Sequence, residues 1–416
     1  MGESSEDNSE LYEKTNPVFN TAKTTLFQLA QQGNPYAAEI SEKMGLTEDT
    51  QKSQSLSMAT EEEMTFRIIL ESRYNMMGSL ALDSGFPVFV DLPCGYTPRS
   101  IEMAEQGVTY IGLDLPPVIS EISDIIPSLI SEEKQNLVRF CPADATNGES
   151  LEKALEDVKG SICINTEGLL MYLNDSETNS FLDNIRKLLS IHGGCWITAD
   201  FEVMPEHNRI LSAIHPGESS HDTSRILKEK ADVGAEHNKL MVRYGNEDED
   251  IKRTEAILKE HGLKAERIRI AGYLADTKSF ASLTKEQQDA VLKAVEDIAF
   301  WKIVLAGSAE SSTETANSFT IHTEFKDGEL GISLTGRLDS LTAPQLLAKY
   351  EEQRESGDIR KVRIDCHSLD YISSAGLRVL VIMQKECKEG VSLTGANEVV
   401  SDILIQAGFS DSLDIE

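Results

Sequence analysis

The stretch PVFVDLPCG, residues 87–95, decides the fold of the larger part of this chain. It is an apolar run that ends in a loop, and it lacks the alternation of a strand with one face in water. Strands that are apolar on both faces belong to parallel sheets covered by helices. The same pattern returns, with helical segments between, in VTYIGLDLP (108–116), LVRFCPADAT (137–146), GSICINTEGLLMYL (160–173) and GGCWITADFEV (193–203). These runs predict an α/β fold with a doubly wound, mostly parallel sheet.

Two later runs, AERIRIAG (265–272) and FWKIVLAGS (300–308), are predicted to extend this sheet at its end. Residues 308–317, SAESSTETAN, carry no apolar periodicity and are predicted to be a linker. Beyond them, a hairpin around KDGE and alternating helix and strand patterns predict a second, small α/β domain. We therefore expect a disordered segment 1–15, a large domain 16–307, the linker, and a small domain 318–416.

The charge and cysteine content narrow the classes of function. A net charge of −31 over 416 residues argues against partners such as nucleic acid and anionic membrane surfaces, which need clustered Lys and Arg. No run is long and apolar enough for a membrane span, and the N-terminus lacks the features of a signal peptide. The cysteines are scattered without a CxxC pair, which favours buried free thiols in a cytoplasmic protein over metal ligands. They are Cys94, Cys141, Cys163, Cys195, Cys366 and Cys387.

The residues at the strand ends point to the ligand, because open parallel sheets bind ligands outside the carboxyl ends of their strands. The first strand ends at Asp91, followed by Gly95, which lets the backbone approach a ligand closely. Asp114 ends the second strand, where a carboxylate takes the hydroxyls of a ribose. Asp144 ends the third, where a carboxylate accepts from an adenine amino group. The alternative is that these are ordinary polar strand ends.

This set predicts an adenosyl ligand without a phosphate. The GxGxxG cradle of dinucleotide-binding proteins is absent, and nothing near Gly95 would hold a pyrophosphate. S-adenosylmethionine has ribose and adenine but no phosphate. The sequence therefore favours S-adenosylmethionine as cofactor over a nucleotide-dependent oxidoreductase, which stays open as an alternative.

Four motifs of the large domain resemble those of the leucine carboxyl methyltransferase (PPM1-like) group of class I methyltransferases. They are FVDLPCGYTPR, YIGLDLP, ADAT and TEGLLMYL. The resemblance implies an S-adenosylmethionine-dependent methyltransferase over roughly residues 15–305. It also implies the cofactor contacts, which would be Arg73 to the methionine carboxylate, Gly95 in the loop, Asp114 to the ribose, Asp144 and Ala145 to the adenine, and Glu167 near the sulfonium. Pro93 departs from the pattern, since the family usually has glycine there.

The acceptor of the methyl group is less well defined by the sequence. A carboxylate acceptor needs no general base, whereas a hydroxyl acceptor needs one, and no convincing His–Asp pair is found for that task. Glu167 and Tyr172 are candidate catalytic residues of the pocket, although Tyr172 could equally pack at a helix start. The stretch 204–252 is a candidate cover over a small-molecule or protein-carboxylate acceptor, with a solvated insertion as the alternative. It contains His207, His215, His221 and His237.

The small domain carries LTGRLDSLTAPQL and, at residues 370–380, DYISSAGLRVL. A serine at the first turn of a helix is an ordinary N-cap, and the free N–H groups there also accommodate a phosphate. These motifs resemble the STAS domain of anti-sigma factor antagonists. The resemblance implies phosphorylation of Ser374 by a partner kinase, with a serine kinase or anti-sigma factor and a phosphatase as the partners of the domain. Many members of the family have Asp where this chain has Ser373. A non-enzymatic regulator, with Pro93 marking a decayed cofactor site, is the alternative function.

Overall fold

In a computed structural model of the chain, the described residues are 19–47, 60–216, 238–274, 277–307, 319–326, 328–339, 342–357, 359–406 and 414–415. The chain divides into two compact units, Met1–Ala306 and Gly307–Glu416. The predicted disordered segment 1–15 and the predicted linker 308–317 lie outside the described residues.

The first unit contains a seven-stranded sheet of order β3-β2-β1-β4-β5-β7-β6. Its strands are β1 (Val88–Asp91), β2 (Thr109–Asp114), β3 (Val138–Pro142), β4 (Ile162–Thr166), β5 (Gly194–Thr198), β6 (Leu263–Arg269) and β7 (Ala299–Leu305). The first five strands pair in parallel, whereas β7 pairs antiparallel with both β5 and β6. The predicted doubly wound, mostly parallel sheet is confirmed. The order reverses between β1 and β4, which is where such sheets bind ligands.

Helices surround this sheet. The described helices are α1 (residues 19–31), α2 (Pro35–Lys43), α3 (Thr60–Asp83), α4 (Arg99–Glu105), α5 (Pro116–Ile125), α6 (Gly148–Leu155), α7 (Asp175–His192), α8 (Val203–Ile214), α9 (Glu247–Glu260), α10 (Ala271–Leu274), α11 (Lys278–Ala281) and α12 (Lys285–Ala294). The start of α7 shows how the sequence sets them: Asn174 accepts from the N–H of Glu177, whose carboxylate accepts from the N–H of Asn174.

Both faces of the sheet are covered, as the apolar runs predict. Val88 and Val90 of β1 lie in one apolar cluster and Phe89 lies in another, because successive side chains of a strand point to opposite faces. In the first cluster, Trp196 of β5 and Trp301 of β7 each meet the ring of Phe201 edge to face. This core fixes the strand ends that carry the site.

The second unit contains a five-stranded sheet of order β12-β11-β10-β9-β8 with three described helices. Its elements are β8 (Thr320–Lys326), β9 (Glu329–Leu338), α13 (Ala343–Ser356), β10 (Lys361–Ile372), α14 (Ser374–Glu386), β11 (Val391–Thr394), α15 (Glu398–Gln406) and β12 (Asp414–Ile415). β8 and β9 form the predicted hairpin, and Gly328 takes a positive φ of 84° in its turn. The predicted small α/β domain is confirmed.

Among the described helices, none is long and apolar enough to cross a membrane. All six cysteines are free thiols, and all except the half-buried Cys141 are buried. Cys163 of β4 and Cys195 of β5 stand opposite each other, with their sulfur atoms 3.8 Å apart.

Candidate functional site

The candidate site lies at the carboxyl edge of the first sheet, where β1 and β4 are neighbours but their chains continue to opposite sides. Gly95 follows β1 and adopts a positive φ of 52°, a backbone conformation that favours glycine. Its N–H donates to Oδ2 of Asp114 at 2.8 Å, and the N–H of Leu115 donates to Oδ1 at 2.7 Å. The carboxylate at the end of β2 therefore holds the glycine loop.

Asp114 is 7% exposed, and burial raises its pKa to about 6 even though the two N–H donors lower it. Each carboxylate oxygen has a further lone pair beyond the one that its N–H donor uses. The residue thus retains the capacity to accept from the hydroxyls of a ligand.

Asp91 is enclosed in the structure. It is 1% exposed and accepts from the hydroxyl of Tyr110 at 2.9 Å and from Nδ2 of Asn165 at 2.6 Å, while Nη1 of Arg99 lies 3.6 Å away. Burial raises its pKa, and Arg99 opposes that shift. Its bonds join β1 to residues of β2 and β4. This carboxylate therefore fixes the strand ends from inside, and its predicted direct contact with the cofactor stays a prediction.

Arg99, the first residue of α4, connects two of the predicted site residues. Its Nη2 donates to Oε2 of Glu167 at 3.0 Å and to the carbonyl of Tyr74 at 3.3 Å, and its guanidinium stacks on the Tyr74 ring at 4.6 Å. It is buried together with Asp91. Arg99 ends the motif FVDLPCGYTPR, and the sequence alone assigns it no role. The available signal was its position at the start of the helix that follows the glycine loop.

The loop that carries Glu167 is held by a residue that the sequence reasoning missed. Asp200, fully buried just after β5, accepts from the N–H groups of Gly168, Leu169 and Leu170 at 2.7, 2.9 and 2.9 Å. Gly168 has a φ of 73°, which turns the chain after β4. The side chain of Glu167 is 19% exposed, so it remains accessible to a ligand.

Tyr172 ends the short 3-10 turn Leu170–Tyr172, in the same loop. Its hydroxyl lies 3.3 Å from Oγ1 of Thr21, and burial raises its pKa. A phenol with a raised pKa stays protonated at neutral pH and acts as a hydrogen-bond donor. Tyr172 therefore suits orientation of a ligand better than removal of a proton.

Arg73 lies on α3 in a buried ion pair with Glu206 of α8. Its Nε and Nη2 are 3.0 and 2.5 Å from Oε2 of Glu206. Burial lowers the pKa of this guanidinium, but Glu206, Asp200 and Glu167 raise it by more. Arg73 is thus within the electrostatic range of the Glu167 loop. Glu206 is a partner that sequence reasoning did not find.

Asp144 and Ala145 follow β3, at the other side of β2. Oδ1 of Asp144 accepts from the N–H and the hydroxyl of Thr146, both at 2.8 Å, and so closes a local turn. Ala145 is buried, and its carbonyl accepts from Nδ2 of Asn184 at 3.1 Å. The strand order brings these residues to the same edge as Asp114.

The candidate acceptor cover is described only in part. His207 lies on α8 and His215 caps its end, whereas His221 and His237 lie outside the described residues. The described chain resumes at Asn238, whose Nδ2 donates to the carbonyls of Leu170 and Leu173 at 2.5 and 3.0 Å. The segment therefore returns beside the Glu167 loop.

In the second unit, the two serines have different places. Ser373 is the N-cap of α14, 4% exposed, and its Oγ accepts from the N–H of Gly376 at 3.4 Å. Ser374 is the first residue of the helix. A Cβ on Gly376 would stand 2.7 Å from Cγ of Leu338, so this helix start packs tightly on the end of β9.

Comparison with known proteins identifies the second unit. Residues 321–414 match the STAS_2 family model, described as "Mlab, STAS domain". They form a STAS domain. Over 63 residues the chain is 43% identical to the protein named anti-sigma factor antagonist BtrV, of Bordetella bronchiseptica. That alignment covers 15% of this chain and 53% of BtrV, so the chain spans about half the length of this curated relative.

Solved structures are similar to the first unit in part. A DUF574 family protein from Streptomyces avermitilis is 13% identical, with a TM-score of 0.40, over 65% of this chain and 97% of that chain. An O-methyltransferase family protein from Burkholderia thailandensis is 12% identical, with a TM-score of 0.37, over 66% of this chain and 64% of that one.

Proposed function

We propose that the first unit is an S-adenosylmethionine-dependent methyltransferase with an oxygen acceptor, a carboxylate or a hydroxyl. One observation carries the proposal: the Gly95 loop and the Asp114 carboxylate meet at the edge where the strand order reverses. A glycine loop without a phosphate cradle suits an adenosyl ligand better than a dinucleotide. The site chemistry, rather than the distant structural likenesses, supports this function.

The residues present fit this cofactor. Asp114 would accept from the ribose hydroxyls, and Asp144 with Ala145 would meet the adenine across β2. Glu167, the accessible carboxylate of the site, would face the positive sulfonium. Arg73 would take the methionine carboxylate, using N–H groups that Glu206 leaves available. Asp91 would hold β1, β2 and β4 in place beneath them.

Methyl transfer depends mainly on how the acceptor is positioned relative to the methyl group. The sulfonium supplies the methyl group and a good leaving group, and orientation of the acceptor alone is worth roughly 7–11 kcal/mol of the barrier. Arg99 holds Glu167, and Asp200 holds the loop that carries it, so both fix the sulfonium end of the pocket. A protonated Tyr172 would orient the acceptor oxygen by donating to it. These roles need no general base for a carboxylate acceptor.

Calorimetric titration tests the binding step. We expect the full chain to bind S-adenosylmethionine, and Asp114→Ala to weaken binding about 10- to 100-fold, because charged acceptors of hydrogen bonds are lost. Asp157→Ala is the matched control, since Asp157 forms an exposed pair with Arg139. An absence of heat with wild type, or an unchanged affinity of Asp114→Ala, would refute the proposal. Binding of NAD instead would favour the oxidoreductase.

We also propose that the STAS domain binds a serine kinase and is regulated by phosphorylation of Ser374, with a phosphatase restoring the free form. A phosphoserine adds nearly two negative charges at the helix start, which alters docking without requiring a new fold. Incubation of the full chain with candidate kinases, followed by mass spectrometry of residues 370–386, tests the site. Phosphate on another residue only would contradict this assignment.

A non-enzymatic regulator is the second candidate function, favoured by the STAS match and the likeness to an anti-sigma factor antagonist. In that case the first unit would sense an adenosyl ligand or act as a scaffold. Binding of S-adenosylmethionine with no methyl transfer to any acceptor, combined with partner binding that depends on the ligand, would support this alternative.

A further inference from the structure

The Arg73–Glu206 pair contains an atom that the described structure leaves without a partner. Oε2 of Glu206 accepts both N–H groups of Arg73, whereas Oε1 is buried and has no hydrogen-bond partner among the described residues. Glu206 as a whole is 1% exposed. A buried carboxylate oxygen that accepts no hydrogen bond is costly, so a donor supplied from elsewhere would relieve it.

The pair lies next to the proposed cofactor site. α8, which carries Glu206, begins shortly after Asp200, the residue that holds the Glu167 loop. α3, which carries Arg73, packs against α8. Glu167 acts electrostatically on both members of the pair. The two charges are therefore placed where the amino-acid end of a ligand at this edge would arrive.

We propose that Arg73 and Glu206 together recognise the α-amino-acid end of the cofactor, with Oε1 of Glu206 accepting from its ammonium group. This inference rests on the proposed function and adds a residue to it. A guanidinium has five N–H donors, and Glu206 uses two of them, so Arg73 keeps donors for the carboxylate of the same ligand. One cation and one anion side by side match a zwitterion, while a ligand with only one of these charges satisfies only half of the pair.

The test compares two ligands on wild type and on Glu206→Gln. One ligand is S-adenosylmethionine, and the other is its deamino analogue, which keeps the carboxylate but lacks the ammonium. We expect Glu206→Gln to weaken S-adenosylmethionine about 10- to 100-fold and to leave the analogue unchanged. Glu247→Gln is the control: Glu247 pairs with Arg209 of the same helix α8, and both affinities should stay as in wild type.

Three results would overturn the inference. An equal loss for both ligands would indicate a structural role for Glu206, and a gain for S-adenosylmethionine would mean that Glu206 competes for Arg73. If Glu206→Gln fails to fold, wild type alone decides, because equal affinities for the two ligands contradict ammonium recognition. Wild type that binds neither these ligands nor 5′-methylthioadenosine would instead refute the proposed function itself.

Discussion

Nη2 of Arg99 lies 3.0 Å from Oε2 of Glu167, and both residues lie at the edge of the first sheet where the strand order reverses. The same guanidinium faces the buried Asp91. One cation therefore positions the partly exposed carboxylate of Glu167 and offsets the charge of the buried carboxylate of Asp91.

Replacing Arg99 should destabilise the first unit and weaken the cofactor site. Arg99→Met leaves Asp91 as a buried charge without its cation, which costs about 3–5 kcal/mol of unfolding free energy. Both tryptophans of the chain, Trp196 and Trp301, are in this unit, so fluorescence during urea unfolding measures its stability. Arg139→Met, which breaks an exposed pair, should cost less than about 1 kcal/mol.

Arg99→Lys separates positioning from stability. Lysine keeps the charge but lacks the planar fork that reaches both carboxylates. We expect Arg99→Lys to recover most of the unfolding free energy that Arg99→Met loses. Its affinity for S-adenosylmethionine should stay below that of wild type. Full recovery of the affinity would show that only the charge of Arg99 matters.

Affinity for the cofactor should fall as the pH falls through about 6. The pKa of Asp114 is about 6 in the folded chain, and a protonated carboxyl accepts less well from ribose hydroxyls. Titrations of wild type between about pH 5 and 8 should show this loss, with a midpoint near the pKa of Asp114. Asp114→Asn should bind weakly and without a transition in this range. A transition that survives in Asp114→Asn would assign it to another group.

The free energy of unfolding should also depend on the protonation of Asp114, but it should fall as the pH rises, whereas the affinity for the cofactor should rise. Because burial raises the pKa of Asp114 from 3.8 to about 6, its contribution to stability is greatest below about pH 4 and is lost as the pH rises through about 6. Between these two ends of the range, the free energy of unfolding of wild type, compared with that of Asp114→Asn, should fall by about 3 kcal/mol. Unfolding of both proteins, followed by tryptophan fluorescence below about pH 4 and well above about pH 6, measures this difference.

Asp200 should be needed for the shape of the Glu167 loop. Asp200→Ala leaves the N–H groups of Gly168, Leu169 and Leu170 without their acceptor, at about 1–3 kcal/mol each. We expect a loss of at least about 3 kcal/mol and fast hydrogen exchange at these three amides. Asp175→Ala, which removes an exposed carboxylate from the N–H of Lys239, is the control. Unchanged exchange at residues 168–170 would show that Asp200 does not hold the loop.

The five parallel strands of the first sheet could be predicted because each lies in a largely apolar run that ends near a polar or glycine residue. This placed Gly95, Asp114, Asp144 and Glu167 at one edge without any tertiary information. A serine N-cap at the start of α14 was likewise visible, since an N-cap is a local signal, but the sequence did not decide between Ser373 and Ser374. The position of β7 between β5 and β6 could not be predicted, because the apolar pattern of a strand does not show whether its neighbours are parallel or antiparallel.

The supporting residues of the site could not be assigned from sequence for a physical reason. Asp200 bonds the Glu167 loop across about 30 residues, Arg99 reaches Glu167 across 68, and Arg73 reaches Glu206 across 133. Periodicity and capping rules describe neighbours within a few residues. A polar partner that is brought near only by folding has no such local pattern.

The two serines of the STAS domain should separate in experiment. Ser373→Ala removes the acceptor for the N–H of Gly376 and should cost about 1 kcal/mol, whereas Ser374→Ala should leave stability unchanged and abolish phosphate incorporation. Hydrogen exchange at residues 376–380 of the full chain measures the first effect. Mass spectrometry after kinase treatment measures the second.

Ser374→Asp then tests the switch, with Ser373→Ala as the partner variant that alters the cap alone. A negative charge at the first residue of α14 should weaken binding of the cognate serine kinase, since it would change the charge of the docking surface that we propose at this helix start. Ser373→Ala should bind that kinase as wild type does, because the loss of the cap changes stability but not charge. Equal kinase affinities for Ser374→Asp and wild type would contradict the switch, even if Ser374 carries phosphate.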